Sequence, residues 1–328
     1  MAKKFCVRTL ILIFLVLFWN GFAHAKGKDC KASGPKPVGQ VNMLNGGVYA
    51  PGDWGVILKT KYFKKDKLYS GNDRISNYAG KPQGVGAQEQ ERFLTQACFR
   101  YGLVDGIDLR LVVPYWKKDM VRGKKAGGVV TQYDSSNDGI GDMVLMGRYR
   151  LMAQKKGAPF NLALGGGLKL PTGDTDEADN LNNGCFGAGF QCGSGSWDPK
   201  FEIAMNRVKK NIRWDATFMY TLTTEGDHDF EFGDKFQYNF GSSIALGKYL
   251  DLQLEYNGIW QEKNSSKGSN VANSGGHLGY ITPGFHIKFS RDPNVHLDFG
   301  LPILVYRDLN GEQLSEKYQF VAKLAVKF

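Results

Sequence analysis

The chain has 328 residues, with 42 Lys and Arg against 32 Asp and Glu for a formal charge of +10, 42 glycines and 13% aromatic residues. After the N-terminal apolar run no stretch approaches 18 consecutive apolar residues, which excludes a helical membrane span, and the Lys and Arg residues are spread along the chain rather than gathered into an aromatic-interleaved patch, which argues against nucleic acid. A negative mean hydropathy beside so many glycines and aromatics is what a wall of strands produces when only alternate residues meet lipid.

At the N-terminus, Lys3, Lys4 and Arg8 precede the apolar run Leu10 to Phe18, and Ala23-His24-Ala25 offers small residues where a signal peptidase reads. This predicts a secretory signal over 1–25. Residues 26–53, rich in Lys, Gly and Pro without a period, read as a periplasmic leader able to tuck into a barrel, and 54–328 as the barrel itself.

From Trp54 a period of two sets in, with Val56, Leu58, Thr60 and Tyr62 on one face and Lys59 and Lys61 on the other. After the polar stretch Lys64 to Glu91 it returns: Phe93, Thr95, Ala97, Phe99, Tyr101 and Leu103 oppose Arg92, Gln96 and Arg100. The turn at Asp105-Gly106 then leads into Ile107, Leu109, Leu111, Val113 and Tyr115, opposed by Asp108 and Arg110. Lys118 to Gly141 reads as a second outer loop. Beyond it, Leu145, Tyr149 and Leu151 oppose Asp142, Arg148 and Arg150, and the fifth strand carries Leu162, Leu164 and Leu168 with Lys169 inward. A long loop follows. Further pairs are centred on Phe201 to Met205 with Trp214 to Leu222, Phe236 to Leu246 with Leu250 to Trp260, and Ile281 to Phe289 with Val295 to Ile303. The last strand, Lys317 to Phe328, alternates to the final residue.

The pattern predicts an all-β fold, a transmembrane antiparallel up-and-down β-barrel of about 12 strands, with short turns on the periplasmic side and long loops outside. An open sheet is excluded because each unpaired backbone group in hydrocarbon costs several kcal/mol. The expected location is the outer membrane of a Gram-negative bacterium, with membrane lipid as a partner. Phe328 is read as the membrane-sorting terminus, through which the last strand would meet the barrel-assembly machinery.

Four segments also resemble a known family: APGDW (Ala50 to Trp54), GIGDMVLMGRYRL (Gly139 to Leu151), GGGLKLPTGD (Gly165 to Asp174) and YITPGF (Tyr280 to Phe285). They are similar to the outer-membrane proteins grouped as the phenol-degradation meta-pathway transporter family. The resemblance implies a barrel-shaped channel or transporter for small molecules, with aromatic compounds suggested by the family's name.

Inward-facing charges suggest how such a pore would select. Lys59, Lys61, Arg92, Arg100, Arg110, Arg148, Arg150 and Lys169 fall on the first five strands, joined by Lys323 and Lys327 on the last, while Asp251, Glu255 and Asp298 fall across the lumen. One expectation is a transverse field that favours anionic solutes diffusing through a narrow lumen; the other is local pairing of Arg100, Arg110 and Arg150 with Asp108 and Asp142. Cys185 and Cys192, in CFGAGFQC, are expected to form a disulfide, and Cys30 with Cys98 is a further possible pair. No cofactor is expected, and no metal: paired C-x-x-C units are missing, and the acidic loops match no standard calcium register. Two alternatives compete with the channel. A barrel-type hydrolase would rely on His228 between Asp227 and Asp229, although no nucleophile with a placed base is evident; a structural or adhesive barrel would only display loops.

Overall fold

The computed structural model describes residues 37–42, 47–179, 184–291 and 294–328. The signal region and Cys30 lie outside the described residues. Among the described residues, twelve strands form a closed antiparallel ring: β1 (Trp54–Ser70), β2 (Gly86–Val104), β3 (Ile107–Ala126), β4 in two pieces (Val129–Ile140 and Val144–Met152), β5 (Asn161–Lys169), β6 (Asp198–Lys209), β7 (Ile212–Thr221), β8 (Lys235–Ala245), β9 (Leu250–Gln261), β10 (Gly276–Arg291), β11 in two pieces (Asn294–Gly300 and Ile303–Leu309) and β12 (Glu312–Lys327). Each pairs with its neighbour in sequence, and β12 pairs with β1 from Gly55↔Lys327 to Ser70↔Glu312.

The core is inside out. Arg110, Arg148, Asp108, Asp215, Asp251, Glu255 and His286 are among the most buried side chains, whereas Leu58, Phe99, Leu145, Ile203, Leu252, Leu254 and Phe320 are exposed on the outer surface. Because the side-chain period is two, the apolar face of every strand turns outward together, and a soluble sandwich would have buried that face instead. Aromatic side chains mark both edges of the band: Trp54, Tyr101, Tyr149, Tyr249 and Phe328 near the turns, and Phe93, Tyr220, Phe236, Trp260 and Tyr318 near the loops. Such rings sit where lipid headgroups begin.

Two outer connections differ from expectation. The run Lys118 to Gly141 is not a loop: β3 and β4 continue as a hairpin closed at Gly127 and Gly128, with pairs such as Lys124↔Thr131. The β11–β12 connection is likewise a tight turn at Asn310 and Gly311, so β12 begins at Glu312 rather than Lys317. Above the membrane both strand faces meet water, so the apolar alternation disappears while backbone pairing continues. Similarly, β1 reaches Ser70 and β2 starts at Gly86, which shortens the first loop.

The closing seam has side-chain support as well as its ladder. Trp54 stacks on Phe328 with ring centroids 4.1 Å apart, and the Lys327 ammonium contacts Asp53 Oδ2 at 2.6 Å. That hydrogen bond and the lysine charge hold the Asp53 carboxyl below its ordinary range. A carboxyl lowered in this way stabilises the closed ring above its ordinary titration range and loses that contribution as pH falls through the lowered value. Asp53→Asn is therefore expected to flatten the acid side of the heat-modifiability profile, read as the boiled-versus-unboiled gel shift, while costing no more than about 1 kcal/mol at neutral pH because the pair is partly exposed.

Candidate functional site

The lumen is filled from below by the chain's own N-terminal segment. Pro37–Asn42 runs along β7, β8 and β9: the Val38 N–H donates to Asp251 Oδ2 at 2.8 Å, and the Val41 N–H to Glu255 Oε1 at 2.8 Å. Ser243 Oγ donates to the Val38 carbonyl at 3.0 Å, and Lys323 Nζ to the Gln40 carbonyl at 2.8 Å. Gln40 and Val41 are each 1% exposed. Val41 seats against Gly300, where an added Cβ would lie 2.7 Å from it. Residues 47–53 return along the opposite wall: the Tyr49 N–H donates to Asp108 Oδ2 at 3.0 Å, Arg100 donates to the Gly47 carbonyl at 3.1 Å, and its guanidinium lies 4.1 Å from the centre of the Tyr49 ring. Burial, the largest effect, raises the Tyr49 phenol above its ordinary range. Gly102 admits this strand of chain, since a Cβ there would stand 1.8 Å from the Ala50 carbonyl oxygen. Part of the residues expected as a periplasmic leader is thus a plug.

Many of the expected lumen charges neutralise one another around it. Arg100 pairs with Asp108. Arg110 and Arg148 both approach Glu202 Oε2, at 3.4 and 3.2 Å, and Lys169 bridges Asp142 at 3.2 Å and Asp198 at 2.7 Å. Asp298 forms an ion pair with Lys323 at 2.6 Å and faces His286 Nδ1 at 2.7 Å, while Asp251 pairs with Lys288. Arg150 pairs at the β2–β3 turn with Asp105, rather than with Asp108 or Asp142. Of the two expectations, these contacts resemble local pairing, with Arg100 on Asp108 as expected but Arg110 on Glu202; Glu202 sits on β6, where strand alternation alone could have placed it inward. Glu202→Ala removes the counter-charge shared by two buried guanidiniums and is expected to cost about 3–5 kcal/mol, visible as a lower unfolding temperature in detergent.

Above these pairs the balance is different. Arg92, Lys118, Lys200 and Lys235, with Lys59 and Lys61 lower on β1, have no carboxylate within 4.0 Å among the described residues. Lys65 reaches Glu316 only at 3.9 Å. Lys65 and Arg92, Arg92 and Lys118, Lys118 and Lys235, and Lys235 and Lys200 lie within electrostatic reach of one another, with Glu316, Asp142 and Asp198 the carboxylates within the same reach. Together they form a basic girdle. Lys118, Lys200 and Lys235 had not been expected as lumen residues. Lys200 and Lys235 each precede an outward Phe, so the alternation carried that signal, whereas Lys118 lay in a stretch that reads as a loop.

The third outer loop, 170–197, folds onto the girdle. Lys118 donates to the Gln191 carbonyl, Arg92 to the Gly189 carbonyl at 3.3 Å, and Asn137 to the Phe190 carbonyl at 3.0 Å. Phe186 and Phe190 are buried edge to face at 4.8 Å. This packing separates the two loop cysteines: Cys185 is exposed and Cys192 is buried with its thiol 3.5 Å from Asn137 Oδ1, and both are free. The expected disulfide is thus absent from the structure, because the two phenylalanines between the cysteines fold inward and draw Cys192 into the mouth.

The sequence profile of the family described as "Putative MetA-pathway of phenol degradation" matches residues 87–321. No curated protein matches the chain. Among solved structures, an outer membrane channel from Pseudomonas putida F1 superposes with a TM-score of 0.58 at 13% identity, over 92% of this chain and 100% of that one. The Pseudomonas putida toluene transporter TodX gives 0.45 at 9% identity, covering 84% and 89%, and a Pseudomonas aeruginosa FadL homologue 0.41 at 8%, covering 84% and 90%. At 13% identity the first of these likenesses is one of fold, a closed outer-membrane barrel.

Proposed function

The chain belongs to the MetA-pathway family of phenol degradation, and from that premise we propose that it is an outer-membrane channel passing small anionic solutes, aromatic acids and phenolates among them, by passive diffusion. The girdle of Arg92, Lys118, Lys200 and Lys235 supports this reading above all. Four basic side chains with no carboxylate within 4.0 Å among the described residues, lining a low-dielectric tube, would concentrate anions and repel cations. The plug supports a narrow path over a wide porin, because Gln40 and Val41 are buried against inward-facing side chains of the barrel wall. Phe328 ends the strand offered to the assembly machinery.

Liposome swelling with benzoate-type acids against neutral sugars of similar size tests the proposal: faster swelling with the acids is expected, and equal rates would reject it. A barrel that only displays loops would give no flux with either. The hydrolase alternative rested on His228, which stands exposed at the outer rim with Nε2 3.0 Å from Asp176 Oδ1; the channel reading gives this side chain no catalytic task.

A further inference from the structure

His228 has a second neighbour. Its ring, the carboxylate of Asp176 and the thiol of Cys185 present their ligand atoms within 4.8 Å of one another, all exposed at the outer rim. The three come from separate stretches of the third and fourth loops, so no sequence spacing announces them. The geometry points to a binding site for a zinc-class divalent cation that clips these two loops together, with solvent completing the shell.

The donor set is the first reason. Thiolate, imidazole and carboxylate are the ligands zinc takes, at about 2.0–2.3 Å, and three protein ligands with an open fourth position is a common zinc arrangement. The donors lie from 3.0 Å apart, between His228 Nε2 and Asp176 Oδ1, to no more than 4.8 Å, a spacing compatible with ligands at those distances from one ion.

Preorganisation is the second reason. His228 and Asp229 both occupy the left-handed region, with φ of 60° and 51°, a conformation unfavourable for a non-glycine residue. The fold sustains it through three hydrogen bonds. Thr175 Oγ1 donates to Asp227 Oδ2 at 2.7 Å, the Asp227 N–H to the Ser194 carbonyl at 3.2 Å, and the Lys267 N–H to the Asp229 carbonyl at 2.7 Å. The result is an imidazole turned onto the third loop, 3.3 Å from the Thr175 carbonyl and beside Asp176. Cys185 is set from the other side: it pairs with Ala178 across a short hairpin, and the next residue, Phe186, donates its N–H to the Glu177 carbonyl at 2.9 Å while its ring is buried.

An ion here would fix the loop that contacts Arg92 and Lys118, and so the cover of the basic girdle. The site itself does not depend on the channel reading, because binding is measured without flux. Purified, reduced, folded protein in detergent, titrated with zinc chloride by calorimetry, should bind one ion per chain. Cys185→Ser, His228→Ala and Asp176→Asn should each weaken binding by about tenfold or more, and zinc should slow maleimide labelling of Cys185. These exposed positions leave the barrel's gel mobility unchanged, which separates loss of the site from loss of the fold. Absence of binding, binding indifferent to all three substitutions, or a Cys185–Cys192 disulfide in protein taken directly from the membrane would each overturn the site.

Discussion

Deleting residues 37–48 is expected to convert a sparsely conducting barrel into a steadily open one. The segment is held by charge-assisted hydrogen bonds from the Val38 and Val41 N–H groups to Asp251 and Glu255, each worth about 1.5–3 kcal/mol. Losing both loosens the plug by about 3 kcal/mol or more, and since each 1.4 kcal/mol is tenfold, the unplugged population rises about a hundredfold. The double variant Asp251→Ala with Glu255→Ala should reproduce part of this effect with the segment still present. Single-channel recording in planar bilayers reads both. Conductance in the deletion that matches the intact chain would show that the segment does not govern the path.

Replacing Arg92, Lys118 and Lys235 with Gln is expected to lower anion-over-cation permeability by about a hundredfold. At about 8 Å in water-like dielectric each charge favours a monovalent anion by about 0.5 kcal/mol and disfavours a monovalent cation by as much, so three shift the ratio by about 3 kcal/mol. The preference of the intact channel should also decline in high salt, where the screening length shrinks to about 3 Å at 1 M. Removing the pairs as neutral units instead, Arg100→Gln with Asp108→Asn and Arg148→Gln with Glu202→Gln, should leave selectivity nearly unchanged, because the net charge of the lumen stays the same. Reversal potentials across a salt gradient separate the two sets. If the paired variants lost selectivity and the girdle variant kept it, the transverse field would be supported and the girdle discarded.

The barrel was legible in the sequence because lipid enforces one rule on every strand: the apolar residue faces out. Tyr318, Phe320, Leu324 and Phe328 obey it to the chain's end, and the structure exposes them all. The rule stops at the membrane surface. Val129 to Ile140 has polar residues on both faces, so its pairing with β3 left no periodic mark. The lumen was legible only in part, since alternation says which side chains point inward but not which ones meet. Arg100 and Asp108 lie diagonally on adjacent strands, two residues off the Arg100↔Arg110 match, and so within reach of a register argument, whereas Glu202 reaches Arg110 from β6 across β4 and β5. The plug was anticipated as a place for the leader, but its seats at Asp251, Glu255 and Lys323 depend on backbone groups of an aperiodic segment. Cys185 and His228 meet only because two loops converge.

The join between β1 and β12 also bears on how the molecule is made. Its partners Gly55 and Lys327 stand at opposite ends of the polypeptide, and tying so distant a pair costs about 5 kcal/mol of chain entropy on the logarithmic scaling of loop closure. No partial ring can wait in hydrocarbon with bare edges. The earliest and latest strands must therefore meet at or before the moment of insertion, and slow kinetics should be sought in that encounter: weakening the Trp54–Phe328 stack ought to delay the appearance of the compact gel species more than it lowers its final yield.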